Sequence, residues 1–278
     1  MGVRPWFRRV YAVMWLSWQE MSNWTRPYVF AAYLLMRPMF SLLLYAYIYI
    51  AFAVTSGVAD ERAAFYLISG VAMYNFVGEG MYGVLWVIHE EREHYGILKY
   101  NYISFPNLRD YLLARAAVYY VAGAITSLAT LVVGLWLVGL GPLYLSPNPA
   151  LIALLYAMGF LWSGFLAVMA SGTSLFSAEY GPVMAEALAG LLFLLGNVIF
   201  PVEMLPWWLR PLADALPMAD WMELMRASLL AAYGVDVPAR LASLAAKTAV
   251  IVCAGVAFFE LADRKAREGG LLEASFHH

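Results

Sequence analysis

Residues 205–226 read LPWWLRPLADALPMADWMELMR, and the fold turns on whether this stretch crosses a membrane, dips into one or lies outside. It holds Pro206, Pro211 and Pro217, the tryptophans Trp207, Trp208 and Trp221, the acids Asp214, Asp220 and Glu223, and Arg210 and Arg226. Proline removes a helical N–H and its ring clashes with the preceding turn, so three prolines at this spacing divide the stretch into short pieces. Yet one long apolar run precedes it and another follows.

Composition settles what surrounds it. Of 278 residues 63% are hydrophobic and 13% are charged, about half the charged share of an ordinary soluble domain. The apolar residues come in runs of about 20 or more, the length a helix needs to cross a hydrocarbon core of roughly 30 Å. The sequence therefore predicts an all-α membrane protein forming a single transmembrane domain, 1–278. The lone Cys253 allows no disulfide framework or thiolate cluster. Arg4, Arg8 and Arg9 are not expected to open a signal peptide, because Gln19 and Glu20 interrupt the apolar stretch behind them and no small-residue cleavage pattern follows. The terminal His277 and His278 are given no functional weight.

In 5–24 the apolar residues Trp6, Val10, Val13, Met14, Trp18 and Met21 recur at helical spacing, as in an amphipathic helix lying in the membrane interface. Six spans are predicted at 27–54, 63–88, 110–139, 149–176, 182–200 and 239–262, with a kink at Pro38. With the N-terminus inside, the cytoplasmic side holds Arg4, Arg8, Arg9, Arg26, Arg92, Lys99, Arg109, Arg115, Arg264, Lys265 and Arg267. The outer side holds Arg62, Arg210, Arg226, Arg240 and Lys247. That asymmetry satisfies the positive-inside rule. Both termini are then cytoplasmic and 201–232 is an outer segment between the fifth and sixth spans. Irregular backbone is tolerated at membrane depth only under cover of protein or a water-filled cavity. A broken, re-entrant helical hairpin fits, with Trp207, Trp208 and Trp221 at headgroup level.

No G-x-x-x-x-G-K-[ST] loop is present, so no phosphate cradle is built on this chain. The string HEEREH at 89–94 spaces its histidines five apart, about 140° around an α-helix, which argues against a shared metal ion. No Ser/His/Asp set is readable, and an enzyme is not expected.

The segment 89–106 carries E-R-E-x-x-G-x-L, Glu91 to Leu98, followed by Ser104-x-Pro106. It resembles the cytoplasmic coupling segment of ABC-2 type transporter permeases, with Ile97 where threonine is common. The run Leu192, Leu195, Gly196, Val198, Leu205-Pro206, Pro217-Met218 and Arg226 is similar to the same family's signature near the fifth span. It departs at Ala189 and at Asp220, where His, Arg, Ser or Tyr is usual. The resemblance extends over essentially the whole chain.

It implies contact of Glu91, Arg92, Glu93 and Gly96 with a separate ATP-binding subunit, present in two copies. ATP and magnesium would be bound by that subunit, leaving no cofactor on this chain. It further implies a second permease copy in a homodimer, a lipid environment in the plasma (inner) membrane, and no nucleic acid. Hydrophobic drugs, lipids and lipid-linked glycans are all substrates of the family.

Two charges fall inside spans. Arg37 and Glu79 lie roughly 15 and 14 Å from the cytoplasmic ends of the first two spans at 1.5 Å per residue. Each alone would cost about 2.5–3.5 kcal/mol at a helix centre. One reading pairs them near an inner gate; the other lets Arg37 snorkel while Glu79 faces water or is protonated. Glu186 reads as interfacial. Tyr45 and Tyr49 share a face of the first span and, with the two charges, are the pathway candidates. The functional expectation is the membrane subunit of an ATP-driven exporter. An ion-coupled secondary transporter is the alternative; it would favour internal repeats and broken mid-membrane helices, which the sequence lacks.

Overall fold

The computed structural model describes residues 3–105, 107–141, 144–176 and 180–270, all helix and connecting loop. Pro106 and the terminal histidines lie outside the described residues. Helix α1 is Val3–Ser22, α2 is Pro27–Ser56 and α3 is Glu61–Leu85. A single turn, α4 (Val87–His89), and a π-helical turn, Glu90–His94, continue α3. Then come α5 (Leu98–Ser104), α6 (Leu108–Leu137), α7 (Pro149–Ser171), α8 (Tyr180–Leu195), α9 (Arg210–Ala215), α10 (Pro217–Leu229) and α11 (Val237–Glu268).

The ends follow local chemistry. Gly57, at φ +68°, closes α2 in the left-handed region that glycine adopts without cost. Asp60 opens α3 by accepting the amides of Arg62 and Ala63, and Asn148 opens α7 by accepting that of Leu151, with Pro149 behind it. Pro38 sits buried within α2 and the helix runs through it.

At the centre stands α3, whose buried positions run from Ala64 to Leu85 on most of its circumference. A helix apolar all round belongs inside a bundle. Its tightest neighbour is α6, and small residues set the distance. A Cβ on Gly80 would fall 2.1 Å from the Tyr120 ring and one on Gly83 2.5 Å from Tyr119. Without a hydrophobic force between helices in lipid, such close backbone approach supplies the packing energy. By contrast α2 buries only Phe30, Pro38, Leu42 and Ala46, one narrow stripe, and leaves Tyr33, Phe40, Leu44, Tyr47 and Phe52 exposed. Helix α1 rests Val10 and Val13 on the core and exposes Trp6, Phe7, Tyr11, Trp15 and Leu16.

Five helical segments among the described residues are long and apolar enough to cross a membrane: Pro27–Ser56, Glu61–His94, Leu108–Leu137, Pro149–Leu175 and Val237–Glu268. The expected span at 182–200 is realised as the 16-residue α8, about 24 Å of helix against a core of roughly 30 Å. It falls short of its expected end at residue 200, because the helix stops at Leu195. Asn197 takes φ +61° there, a left-handed conformation that asparagine tolerates better than most residues.

The second span runs past its expected end at residue 88, since the charged run at 90–94 continues it as a π-helical turn to His94. Residues 201–230 are broken as the prolines dictate, with short helices starting at Arg210-Pro211 and Pro217. One part of the expectation fails. Trp207 and Trp208 are exposed, but Trp221 is fully buried. Its indole donates to the Leu155 carbonyl at 2.6 Å and stacks on Phe76. Helix α10 is therefore a core element, packed on α3, α7 and α11.

Candidate functional site

Three clusters of polar side chains are built into this apolar bundle. The first holds the segment after α3. The π-helical turn places residues five apart on one face, because its hydrogen bonds run to the fifth residue. His89 and His94 accordingly stand with ring centroids 5.6 Å apart, and the argument from α-helical spacing does not apply to them. Among the described residues no three potential ligands gather to hold a metal.

Glu91 is completely buried. It accepts hydrogen bonds from the Tyr111 hydroxyl and from Asn101 at 3.0 Å, and Arg115 approaches it at 3.3 Å. Arg115 also meets Glu20 of α1 at 2.8 Å. The carboxylate thus ties the segment to α5 and α6 and, through Arg115, to α1. Arg92 pairs with Glu93 at 2.8 Å, both side chains nearly enclosed.

Of the four residues expected at a partner's surface, only Gly96 is exposed. Its φ of +62° explains the glycine there. The large apolar side chains the segment turns outward are Tyr95, Ile97, Tyr100 and Ile103, the last 82% exposed, with His94 and Lys99 exposed among them. Tyr102 donates to Asp263 at 2.8 Å and Arg109 meets Glu260 at 3.0 Å, so α11 is joined to the same region. Burial and the Asp263 carboxylate push the Tyr102 hydroxyl's pKa upward.

The second cluster lines a cavity where α2, α3 and α8 meet. A compartment of about 200 Å³ is walled by Arg37, Ser41 and Tyr45 of α2, Tyr74, Asn75, Glu79 and Tyr82 of α3, and Glu186 and Phe193 of α8. It shares Arg37, Ser41, Glu79 and Tyr82 with a compartment of about 690 Å³. The latter opens between α1, α2, α3 and α6 and is walled by Phe30, Leu34, Met36 and Phe40. Arg37 and Glu79 are therefore brought to one cavity, but no direct ion pair joins them among the described residues. Tyr45 lines it; Tyr49 does not, and instead donates to the Asp60 carbonyl at 2.9 Å. Glu186, read from the sequence as interfacial, belongs to the same wall. The signal for it was available: a carboxylate inside an apolar run.

The third cluster explains the broken segment at 201–230. Leu205 is buried while Pro206 is exposed, and Arg210 folds back to donate to the carbonyls of Leu205 and Glu203. Pro217 starts α10 and is buried. Arg226, expected on the outer surface, is wholly buried. Its guanidinium donates to the carbonyls of Val198 at 2.9 Å and Tyr66 at 3.1 Å, and to Ser69 Oγ at 3.3 Å. It also lies 3.6 Å from the Tyr66 ring centroid. Desolvation pulls its pKa below the ordinary value, and carbonyl dipoles with an aromatic face stand in for water. Arg226 so caps the chain just after α8 and fastens it to α3.

Asp220, the departure from the family pattern, is as deeply placed. Its carboxylate meets Arg240 at 2.9 Å, Ser243 at 2.6 Å and Lys247 at 2.6 Å, three residues on one face of α11. Glu223 joins by accepting from Asn197 at 3.3 Å and pairing with Arg240 at 2.9 Å. Arg240 and Lys247, counted from sequence as outer-side charges, are partners in this clamp. Burial pushes the Asp220 carboxyl up, but hydrogen bonds from Lys247, Ser243 and Arg240 hold it below the usual carboxylate range.

A depressed folded pKa contributes stability above the unfolded value and loses it as pH falls through the folded one. Asp220→Asn should thus cost about 1–3 kcal/mol at neutral pH. Melting temperatures of the two proteins should differ by a constant amount from pH 5 to 8 and converge below about pH 4. A gap that varies between pH 5 and 8 would assign the clamp to another group.

The chain matches the family model for ABC-2 type transporters over residues 10–230. No curated protein matches it significantly. The matched region runs from within α1 through α10 and so includes all three clusters except their partners on α11.

Proposed function

As this chain belongs to the ABC-2 type transporter family, we propose that it is the membrane subunit of an ATP-driven exporter of hydrophobic or amphipathic molecules. In this reading a separate ATP-binding subunit, in two copies, holds ATP and magnesium, and this permease contributes the pathway. Both termini lie in the cytoplasm of a cell bounded by its plasma membrane. Helix α8 completes a six-span plan, with 201–232 as an outer re-entrant element and α1 lying in the interface.

The observation that carries the proposal is the cavity between α2, α3 and α8. Arg37 and Glu186 are exposed in the single chain, and ionisable groups at membrane depth face a protein interior or water, not lipid. A second copy of the chain covering α2 and α8 would enclose them and leave a polar pathway between the two. ATP binding and hydrolysis would then favour inward- and outward-facing states with different affinity for the substrate.

The segment at 89–106 is the natural contact with the ATP-binding subunit. Glu91 acts there as a positioning residue, while Tyr95, Ile97, Tyr100 and Ile103 offer the surface. Proline cannot adopt the φ of Gly96, so Gly96→Pro should abolish ATP-dependent transport in inverted vesicles, by about tenfold or more. The protein would still be inserted at wild-type level. Intact transport in this variant, with no ATP-binding subunit recovered on co-purification, would refute the assignment.

A further inference from the structure

We propose that the cavity between α2, α3 and α8 selects amphipathic monocations, an inference that rests on the exporter reading and narrows its substrate class. Charge is the first argument. Glu79 and Glu186 face the smaller compartment against the single cation Arg37, leaving one negative charge in surplus. Surplus charge at membrane depth is costly, and a bound monocation cancels it.

The second argument is the wall. Tyr45, Tyr74 and Tyr82 line the compartment with Phe193. The Tyr74 hydroxyl is already committed to the Ala189 carbonyl at 2.7 Å, and its ring packs edge-on to Phe193 at 4.9 Å. The rings of Tyr45, Tyr74, Tyr82 and Phe193 bring π-surface to the wall, which binds ammonium and phosphonium centres. Asn75, the one amide in the wall, donates to Thr130 at 3.2 Å.

The third argument is shape. The adjoining compartment of about 690 Å³ presents Phe30, Leu34, Met36 and Phe40 and lies in the size range of small-molecule sites. Because Glu79 walls both compartments, a ligand with its cationic centre at the carboxylates can extend an apolar body into the larger space. Anionic amphiphiles find one arginine set against two carboxylates.

The test uses two isosteric ions of opposite charge, tetraphenylphosphonium and tetraphenylborate. Binding is measured to the full-length protein in nanodiscs of zwitterionic phospholipid, with empty discs subtracted. Tetraphenylphosphonium should bind saturably and tetraphenylborate should not. Glu79→Gln and Glu186→Gln should each weaken phosphonium binding about tenfold, the equivalent of about 1.4 kcal/mol. Arg37→Gln should tighten it, a change that damaged folding would not produce.

Saturable binding of the borate alone, of neither ion, or of the cation with equal affinity in wild type and all three variants would overturn the proposal. Should Glu79→Gln fail to fold, Glu186→Gln and Arg37→Gln decide the question by their opposite signs. No ATP or partner subunit is needed, so failure here leaves the exporter assignment intact. Failure of co-purification would likewise leave this result standing.

Discussion

Arg226→Met is expected to destabilise the protein by about 3–5 kcal/mol, the largest loss available from a single side chain here. The guanidinium makes charge-assisted hydrogen bonds, worth about 1.5–3 kcal/mol each, to groups on two separate elements. The Val198 carbonyl suffers most, since it lies beyond the end of α8 and no helix supplies it a partner. Methionine fills the volume and stacks on Tyr66 but donates nothing. Lysine should rescue only part of the loss: one ammonium can serve the Tyr66 and Val198 carbonyls, which Nη2 alone meets, but not Ser69 Oγ, which Nε reaches, nor can it stack as a plane on the Tyr66 ring. At about 2–4 °C per kcal/mol for a chain of this size, detergent-solubilised Arg226→Met should melt roughly 6–20 °C below wild type. An unchanged melting temperature would show that Arg226 is dispensable to the fold.

Gly70→Ala reports on the same joint from the opposite side. Helix propensity alone predicts a gain of about 1 kcal/mol for alanine in the middle of α3. The new Cβ, however, would sit 1.8 Å from the Val198 carbonyl oxygen and 2.6 Å from an Arg226 guanidinium nitrogen. A backbone oxygen cannot rotate away as a side chain does, so α3 and the 196–200 bend must part and the Arg226 hydrogen bond lengthens. Overpacking together with the weakened bond should cost about 2–4 kcal/mol net. Gly190→Ala in α8, where nothing lies within 4 Å, is the control and should be neutral or slightly stabilising. In the double variant Gly70→Ala/Arg226→Met the losses should fall short of their sum, because both act on one carbonyl. Full additivity would separate the two sites.

Helix number and placement were largely legible because apolar runs and breakers are local signals. The prolines at 206, 211 and 217 announced the broken segment, and Gly57, Asp60 and Asn148 marked helix ends. Depth was not legible. Trp221 and Arg226 look like surface residues in a proline-rich stretch, and only their packing against Phe76 and Tyr66, more than 140 positions earlier, makes them core.

The same limit applies to Glu91. A charged triplet in a cytoplasmic segment reads as a surface for a partner, whereas Tyr111, Asn101 and Arg115 turn the Glu91 carboxylate inward. The histidines at 89 and 94 failed differently, because the α-helical angle assumed for them does not describe a π-turn. For the cavity, Arg37 and Glu79 were visible as charges in apolar runs. Their common neighbour Glu186 needed the third helix to be in place. Asp220 shows what a family pattern can and cannot say: it marked the residue as unusual, and Arg240, Ser243 and Lys247 on α11 supply the reason.

Helix α11 is held at both extremities, by Asp220 near its start and by Tyr102 and Arg109 through Asp263 and Glu260 near its finish. The whole helix is an unbroken rod of 32 residues, about 48 Å long, and the two anchorages stand near its opposite ends. A rod pinned at two ends turns separate motions into one. Displacement of the segment around Tyr102 must either rupture its attachments to Asp263 and Glu260 or carry the far tip of α11, and Asp220 with it, in step.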